Sequence, residues 1–215
     1  GARPFDMIGR VAVIPIEGTL VHKGAWVGAS SGETSYQGLQ VQIARAARDE
    51  DVGGVVFEID SFGGMVNGAF ETAAAIRKLS AAKPTIAILT DYAYSAGYLL
   101  ASQARQIFMP DFGGAGSIGV VMMHADFSGN LEQDGIKVTL IHAGRHKVDG
   151  SPFLPLPPET RARWQAQVEA MRDSFAAAVA QGRGRRTTKA AALATEADAF
   201  DAQDSLRLGL VDAVG

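Results

Sequence analysis

The chain has 215 residues, 47% of them hydrophobic and 20% charged, with a net charge of −3 and a pI near 5.8. This is the balance of a globular protein that can bury a sizeable core, and its acidic charge argues against nucleic acid as a partner. Cysteine is absent, which excludes disulfides, thiolate metal sites and a cysteine nucleophile. No apolar run approaches the roughly 18 residues of a membrane span.

In chain order, residues 1–9 read as a loose arm. Residues 10–16 (RVAVIPI) are almost continuously apolar, the pattern of a strand covered on both faces. Glu17-Gly18-Thr19 turns the chain. Residues 24–35 form a small-residue loop around Trp26 that suits a substrate lip, an oligomer contact or a plain solvated loop. Helical periodicity over 36–49 places Leu39 and Ile43 on one face. A second buried strand, 55–59, runs into Asp60-Ser61-Phe62-Gly63-Gly64, and a helix is predicted over 67–81. Paired glycines between strand and helix either turn the chain through a left-handed conformation or point backbone N–H groups into a cleft, as an oxyanion hole requires. Phosphate binding is disfavoured, because the lysine and Ser/Thr of a P-loop are missing.

The apolar run 85–90 then leads into Asp91-Tyr92-Ala93-Tyr94-Ser95-Ala96-Gly97-Tyr98, and a helix-like run follows over 96–103. A serine at a strand-to-helix junction is either an N-cap or an exposed nucleophile beside unpaired backbone N–H groups. The small Ala96 and Gly97 let a substrate backbone come close. A short strand (106–109) follows, then the turn Gly113-Gly114-Ala115-Gly116-Ser117-Ile118-Gly119 ahead of an apolar strand, 118–123. Residues 126–134 are helix-like. Residues 136–142 (IKVTLIH) read as a strand that enters Ala143-Gly144-Arg145-His146-Lys147-Val148-Asp149-Gly150. A proline-rich linker (152–158) precedes a long amphipathic helix, 158–181, carrying Trp164, Val168, Met171 and Phe175. The basic stretch 182–186 reads as a solvated turn. A short helix, a strand-like 197–200, a helix from Ala202 and the segment 208–212 close the chain. Alternating strands and helices predict an α/β fold with a largely parallel sheet. Sites in such sheets form at the carboxyl ends of strands, and Gly63-Gly64, Ser95, the 116–119 turn and Lys147 all follow predicted strands.

The segments VVFEIDSFGG, YSAGYLLAS, GSIGVVM, GIKVTLIHAGRHKVDGSPF and AQDSLRLGLVD resemble, in order and spacing, the S49 peptidases. That family comprises signal peptide peptidase A, or protease IV, and bacteriophage head-protease relatives. The resemblance implies a Clp protease/crotonase-like fold with repeated ββα-type units and flanking helices. It implies one peptidase domain over 1–215, with 152–215 in oligomer contacts, and a serine endopeptidase without metal or cofactor. On this resemblance Ser95 is the nucleophile, Lys147 the general base and Ser117 the serine that orients the lysine amine. The oxyanion hole is the backbone N–H of Gly64, with Gly63 as the alternative, together with that of Ala96. Phe62 stands where the family has proline in its Ser-Pro-Gly-Gly turn. A lysine base must be brought from about pKa 10.4 to about 7–8, which desolvation can supply.

The other lysines, Lys23, Lys78, Lys83, Lys137 and Lys189, offer no better base. A Ser–His–Asp triad drawing on His124, His142 or His146 is the mechanistic rival. A crotonase-like acyl-CoA enzyme and a catalytically inactive assembly protein are the functional rivals. The family further implies a homo-oligomeric ring with shared sites. The opening ARPFDMIGRVAVIPIEGTLVHKG and the lack of an anchor favour the prophage branch, with scaffold and capsid proteins as substrates in a cytoplasmic procapsid. The other branch acts on leftover signal peptides. The chain opens at Gly1 rather than at methionine, as a trimmed chain would, and membrane association is expected if an anchor preceded it.

Overall fold

In the computed structural model, which describes residues 3–24, 27, 29, 30 and 32–215, the chain divides into two units. The larger comprises Gly1–Gly119 and Asp173–Gly215, and the smaller Val120–Arg172. Trp26 lies outside the described residues.

The larger unit is built on one sheet. Its strands are β1 (Asp6–Ile8), β2 (Val11–Val21), β3 (Ala29–Ser30), β4 (Glu33–Ser35), β5 (Gly54–Gly64), β6 (Thr85–Tyr94), β7 (Gln106–Met109), β8 (Gly114–Gly116), β9 (Ala199–Asp201) and β10 (Ala213–Val214). The order is β10-β7-β6-β5-β2-β4-β3, and the central pairings β7–β6, β6–β5 and β5–β2 are parallel. The fold is therefore α/β with a mostly parallel sheet. Period-two alternation decides which face is buried. Ala12, Ile14 and Ile16 of β2, Val55, Phe57 and Ile59 of β5, and Ala87 and Leu89 of β6 form the core side. Val11 and Val13 are only half-buried, so β2 is fully covered on one face rather than the two its apolar run predicts.

Helices α1 (Tyr36–Arg48), α2 (Ala69–Ala82) and α3 (Ala96–Ala101) supply the apolar residues of that core, including Leu39, Ile43, Ile76, Leu79, Leu99 and Leu100. Ser35 caps α1 by accepting from the Gly38 N–H. Part of 1–9, expected to be a loose arm, is tied down. Asp6–Ile8 pairs antiparallel with Val11–Val13 of β2, Phe5 is buried, and Arg3 donates to Asp49 and Asp51.

The smaller unit holds α4 (Ser128–Gln133) and the first part of α5 (Pro158–Arg183). The apolar runs 118–123 and 136–142, expected to be strands, carry no ladder among the described residues. Their sequences favour strand, yet a strand needs a paired neighbour, and Val121 and Ile141 are 90% and 97% exposed. Beyond α5, α6 (Lys189–Ala194) and α7 (Ala202–Arg207) return to the larger unit. The basic stretch 182–186, expected to be a solvated turn, is solvated only over Gly184, Arg185 and Arg186. Arg183 is fully buried, donating to Gly209 O and Asp212, and Arg186 donates to the same carboxylate.

Candidate active site

Ser95 stands alone between the last residue of β6 and the first of α3, so one residue makes the whole turn from strand to helix. That turn forces φ 50° and ψ −124°, a region that residues other than glycine seldom occupy. Such strain costs about 1–3 kcal/mol and persists only where the surroundings over-determine it. Here they do. The Ser95 N–H donates to Gly116 O at 3.0 Å, and its carbonyl accepts from the Leu99 N–H at 2.9 Å. Gly97 comes so close to β5 that a Cβ on it would lie 2.8 Å from Ser61 O.

Of the paired glycines, Gly63 faces this serine. Gly63 has φ +99°, and a Cβ there would lie 2.8 Å from Ser95 Cβ, 2.9 Å from Ala96 N and 3.1 Å from Ser95 Oγ. Glycine thus keeps open the space in front of both the hydroxyl and the first backbone N–H of α3, which has no partner inside the helix. Buried Ser61 fixes the turn: its hydroxyl donates to Gly18 O at 2.6 Å and accepts from the Gly63 N–H at 3.1 Å. The Gly63 N–H is therefore already engaged. Gly64 follows on β5, paired in register with Leu20, and a Cβ there would collide with Leu20 O.

Ser117 arrives through β8, whose register sets Gly116 opposite Tyr94. The next residues along each strand are Ser117 and Ser95, and Ser117 is the second serine at positive φ, 53°. Its N–H donates to Asp198 O at 2.7 Å. Residues 63, 64, 95, 96 and 117 thus converge at the carboxyl ends of β5, β6 and β8. Lys147 does not join them within one unit: it belongs to Val120–Arg172, where its side chain is exposed and its N–H donates to Gly144 O. No group of three or more His, Cys, Asp or Glu suited to a metal ion occurs among the described residues.

Sequence reasoning missed two features. The first is a set of three rings, Phe62, Tyr92 and Tyr94, with centroids 5.4–5.7 Å apart. Phe62, the residue in place of the turn proline, is 69% exposed. Alternation is the signal that finds the set, since Ser61 and Ala93 point to the core and leave their neighbours on the opposite face. The second is the carboxylate of Asp149, on which His146, Thr160 and Arg163 converge. Arg163, foremost, holds that carboxyl below the usual range.

Residues 77–215 match Peptidase family S49. The chain belongs to that family. This S49 chain is 40% identical over 211 residues to the head-tail preconnector protein GP5 of Enterobacteria phage P21, covering 98% of this chain and 42% of GP5. It is 37% identical over 211 residues to the capsid assembly protease C of Escherichia phage lambda, covering 98% and 48% respectively. It therefore spans less than half the length of these two relatives. Among solved structures, the 1510-N membrane-bound stomatin-specific protease superposes with TM-score 0.54 at 16% identity, over 94% of this chain and 78% of that one. An enoyl-CoA hydratase/isomerase family member gives TM-score 0.56 at 15% identity, over 98% and 69%. The fold of the S49 chain is accordingly of the crotonase/Clp protease type.

Proposed function

We propose that the chain is a serine endopeptidase in which Ser95 is the nucleophile and Lys147 the general base. The observation that carries the reading is Ser95 itself, strained at a one-residue strand-to-helix turn, with Gly63 leaving open the space before its hydroxyl and the Ala96 N–H. In this mechanism neutral Lys147 Nζ takes the proton of Ser95 Oγ as the oxygen attacks the scissile carbonyl. The N–H groups of Gly64 and Ala96 stabilise the oxyanion, and Ser117 orients the amine. The C–N bond breaks as the lysine returns the proton to the leaving amine, and water then hydrolyses the acyl-serine ester. The reading includes a homo-oligomeric ring, as the family resemblance implies, with 152–215 contributing to contacts and Lys147 serving its own or a neighbouring Ser95.

The substrates we propose are polypeptides of phage head assembly, scaffold or capsid, cut in the procapsid. The similarity to the phage lambda capsid assembly protease supports this choice. Among the described residues no helix is long and apolar enough to cross a membrane. A signal-peptide substrate is the other branch of the family.

One observation favours a second mechanism. His146 Nδ1 lies 3.0 Å from the Asp149 carboxylate, the pairing a Ser–His–Asp triad uses. Cleavage of casein by wild type, Ser95→Ala, Lys147→Ala and His146→Ala decides between them. The dyad predicts losses of about 10³-fold or more for the first two variants and less than about 5-fold for His146→Ala. Retained activity in Lys147→Ala with loss in His146→Ala overturns the dyad in favour of the triad.

A further inference from the structure

Lys147 lies in a run of tight turns with few contacts of its own. The Lys147 N–H donates to Gly144 O, that of Asp149 to His146 O at 3.3 Å, and that of Ser151 to Val148 O at 3.0 Å. Such turns fix local shape but not where the segment sits. Asp149, two residues on, supplies the missing fixation. Its side chain is 13% exposed, and the same oxygen, Oδ2, accepts from His146 Nδ1 at 3.0 Å, from buried Thr160 Oγ1 at 2.9 Å and from Arg163 Nη2.

Thr160 and Arg163 are three residues apart on α5 and so share one face of the helix. Trp164, next along, lies against Gly150, where a Cβ would come within 2.3 Å of the indole. Consecutive residues of the loop are thus seated on consecutive residues of the first turns of α5. Beyond the seat, Ser151 O meets His124 Nε2 at 3.0 Å and Pro152 O accepts from the Phe127 N–H at 2.8 Å.

We infer that Asp149 is the positioning residue of the general base: its carboxylate moors the Lys147 turn to α5. The inference rests on the dyad reading above and goes beyond it, because the dyad needs only that a lysine arrive, not what holds it. Three donors on one oxygen make the mooring redundant, so no single donor is indispensable. A base displaced by about 1 Å loses on the order of 10²-fold in rate, and substrate affinity is untouched if the base does not contact the ground state.

The test is steady-state cleavage of one fluorogenic peptide by the intact, assembled chain, with Asp149→Ala, Asp149→Asn, Arg163→Met and Thr160→Val compared. Asp149→Ala is expected to lower kcat about 30–100-fold with KM within about 3-fold. Asp149→Asn, which keeps an acceptor oxygen, is expected to recover much of that loss, and each donor variant to lose only about 3–10-fold. A wild-type kcat in Asp149→Ala overturns the inference, as does a fall in melting temperature with kcat unchanged in the folded variants. Should Asp149→Ala fail to fold, the asparagine and donor variants carry the test, and unchanged kcat in all three overturns it. Lys147→Ala separates the two levels. Loss there with wild-type rates at 149 refutes only the mooring, whereas activity retained there refutes the dyad beneath it.

Discussion

Around Ser95 the fixing contacts are mostly main-chain bonds and close packing, whereas the Lys147 segment, closed into turns by main-chain bonds, is seated by polar side chains. The serine is set by the registers of β5, β6 and β8, by glycines that admit neighbouring backbone, and by a continuous buried core. The lysine segment lies in a unit with few buried side chains, where Asp149 does the work of a core. Backbone ladders preorganise a strained nucleophile at little cost in side-chain entropy. A carboxylate hub fixes a loop that packing leaves loose, and such a region opens more readily than one built on a core. The two halves of the proposed dyad should therefore fail differently when their polar ties are cut.

Asp212 offers the strongest contrast, because it is the sheet unit's own carboxylate hub. It accepts from Arg183 at 2.8 Å, from Arg186 at 2.6 Å and from the Ile107 N–H at 2.8 Å. Burial pushes its pKa up, but the two guanidiniums outweigh that and hold it below the usual range. Asp212→Ala strands a fully buried arginine charge, at a cost of about 3–5 kcal/mol. Calorimetry should show Tm lower by roughly 6–20 °C. Loss of the Asp149 hub should instead leave Tm nearly unchanged and fall on kcat. A Tm drop of under about 2 °C in Asp212→Ala would erase the distinction.

Gly63→Ala probes the nucleophile's side. The added methyl enters the space before Ser95 Oγ and the Ala96 N–H, at a φ that alanine tolerates poorly. We expect kcat to fall about 10²–10³-fold, the effect of spoiling an oxyanion site. Labelling of Ser95 by a fluorophosphonate should slow in parallel. Activity within about 3-fold of wild type would show that the substrate carbonyl sits elsewhere.

How much of this was legible in the sequence follows the same division. Junctions between apolar runs and helical patterns marked Gly63-Gly64, Ser95 and the Gly116–Ser117 turn, because local pattern sets where a strand ends. β8 was not legible: Gly-Ala-Gly has no strand propensity and owes its ladder to β6 and β9. Arg183 was misread as solvated because its carboxylate lies 29 residues away, and Asp149 was missed because Thr160 and Arg163 lie 11 and 14 residues on. The apolar runs 118–123 and 136–142 gave the opposite error. Their β-propensity is plain, but pairing is a property of neighbours and not of a segment.

The smallest expected effect comes from the tie that holds the N-terminus. Arg3 donates to the Asp49 carboxylate at 2.9 and 3.2 Å and to Asp51 at 2.6 Å. The Arg3 hydrogen bond, opposed by desolvation, holds the Asp49 pKa down to about 2 from its ordinary 3.8. A carboxyl whose pKa is depressed by folding stabilises the native state above the ordinary value, and that stability is lost as pH falls through the folded one. The contribution should therefore be complete at neutral pH, decline below about pH 5 and vanish only near pH 1, below the folded pKa. Asp49→Asn should lower Tm by about 2 °C at pH 7, and the gap between variant and wild type should narrow through pH 2 and close near pH 1. A gap independent of pH would mean that Asp49 acts through its packing at the end of α1 and not through its charge. The N-terminal tie would then resemble the packed surroundings of Ser95 more than the charged mooring of Lys147.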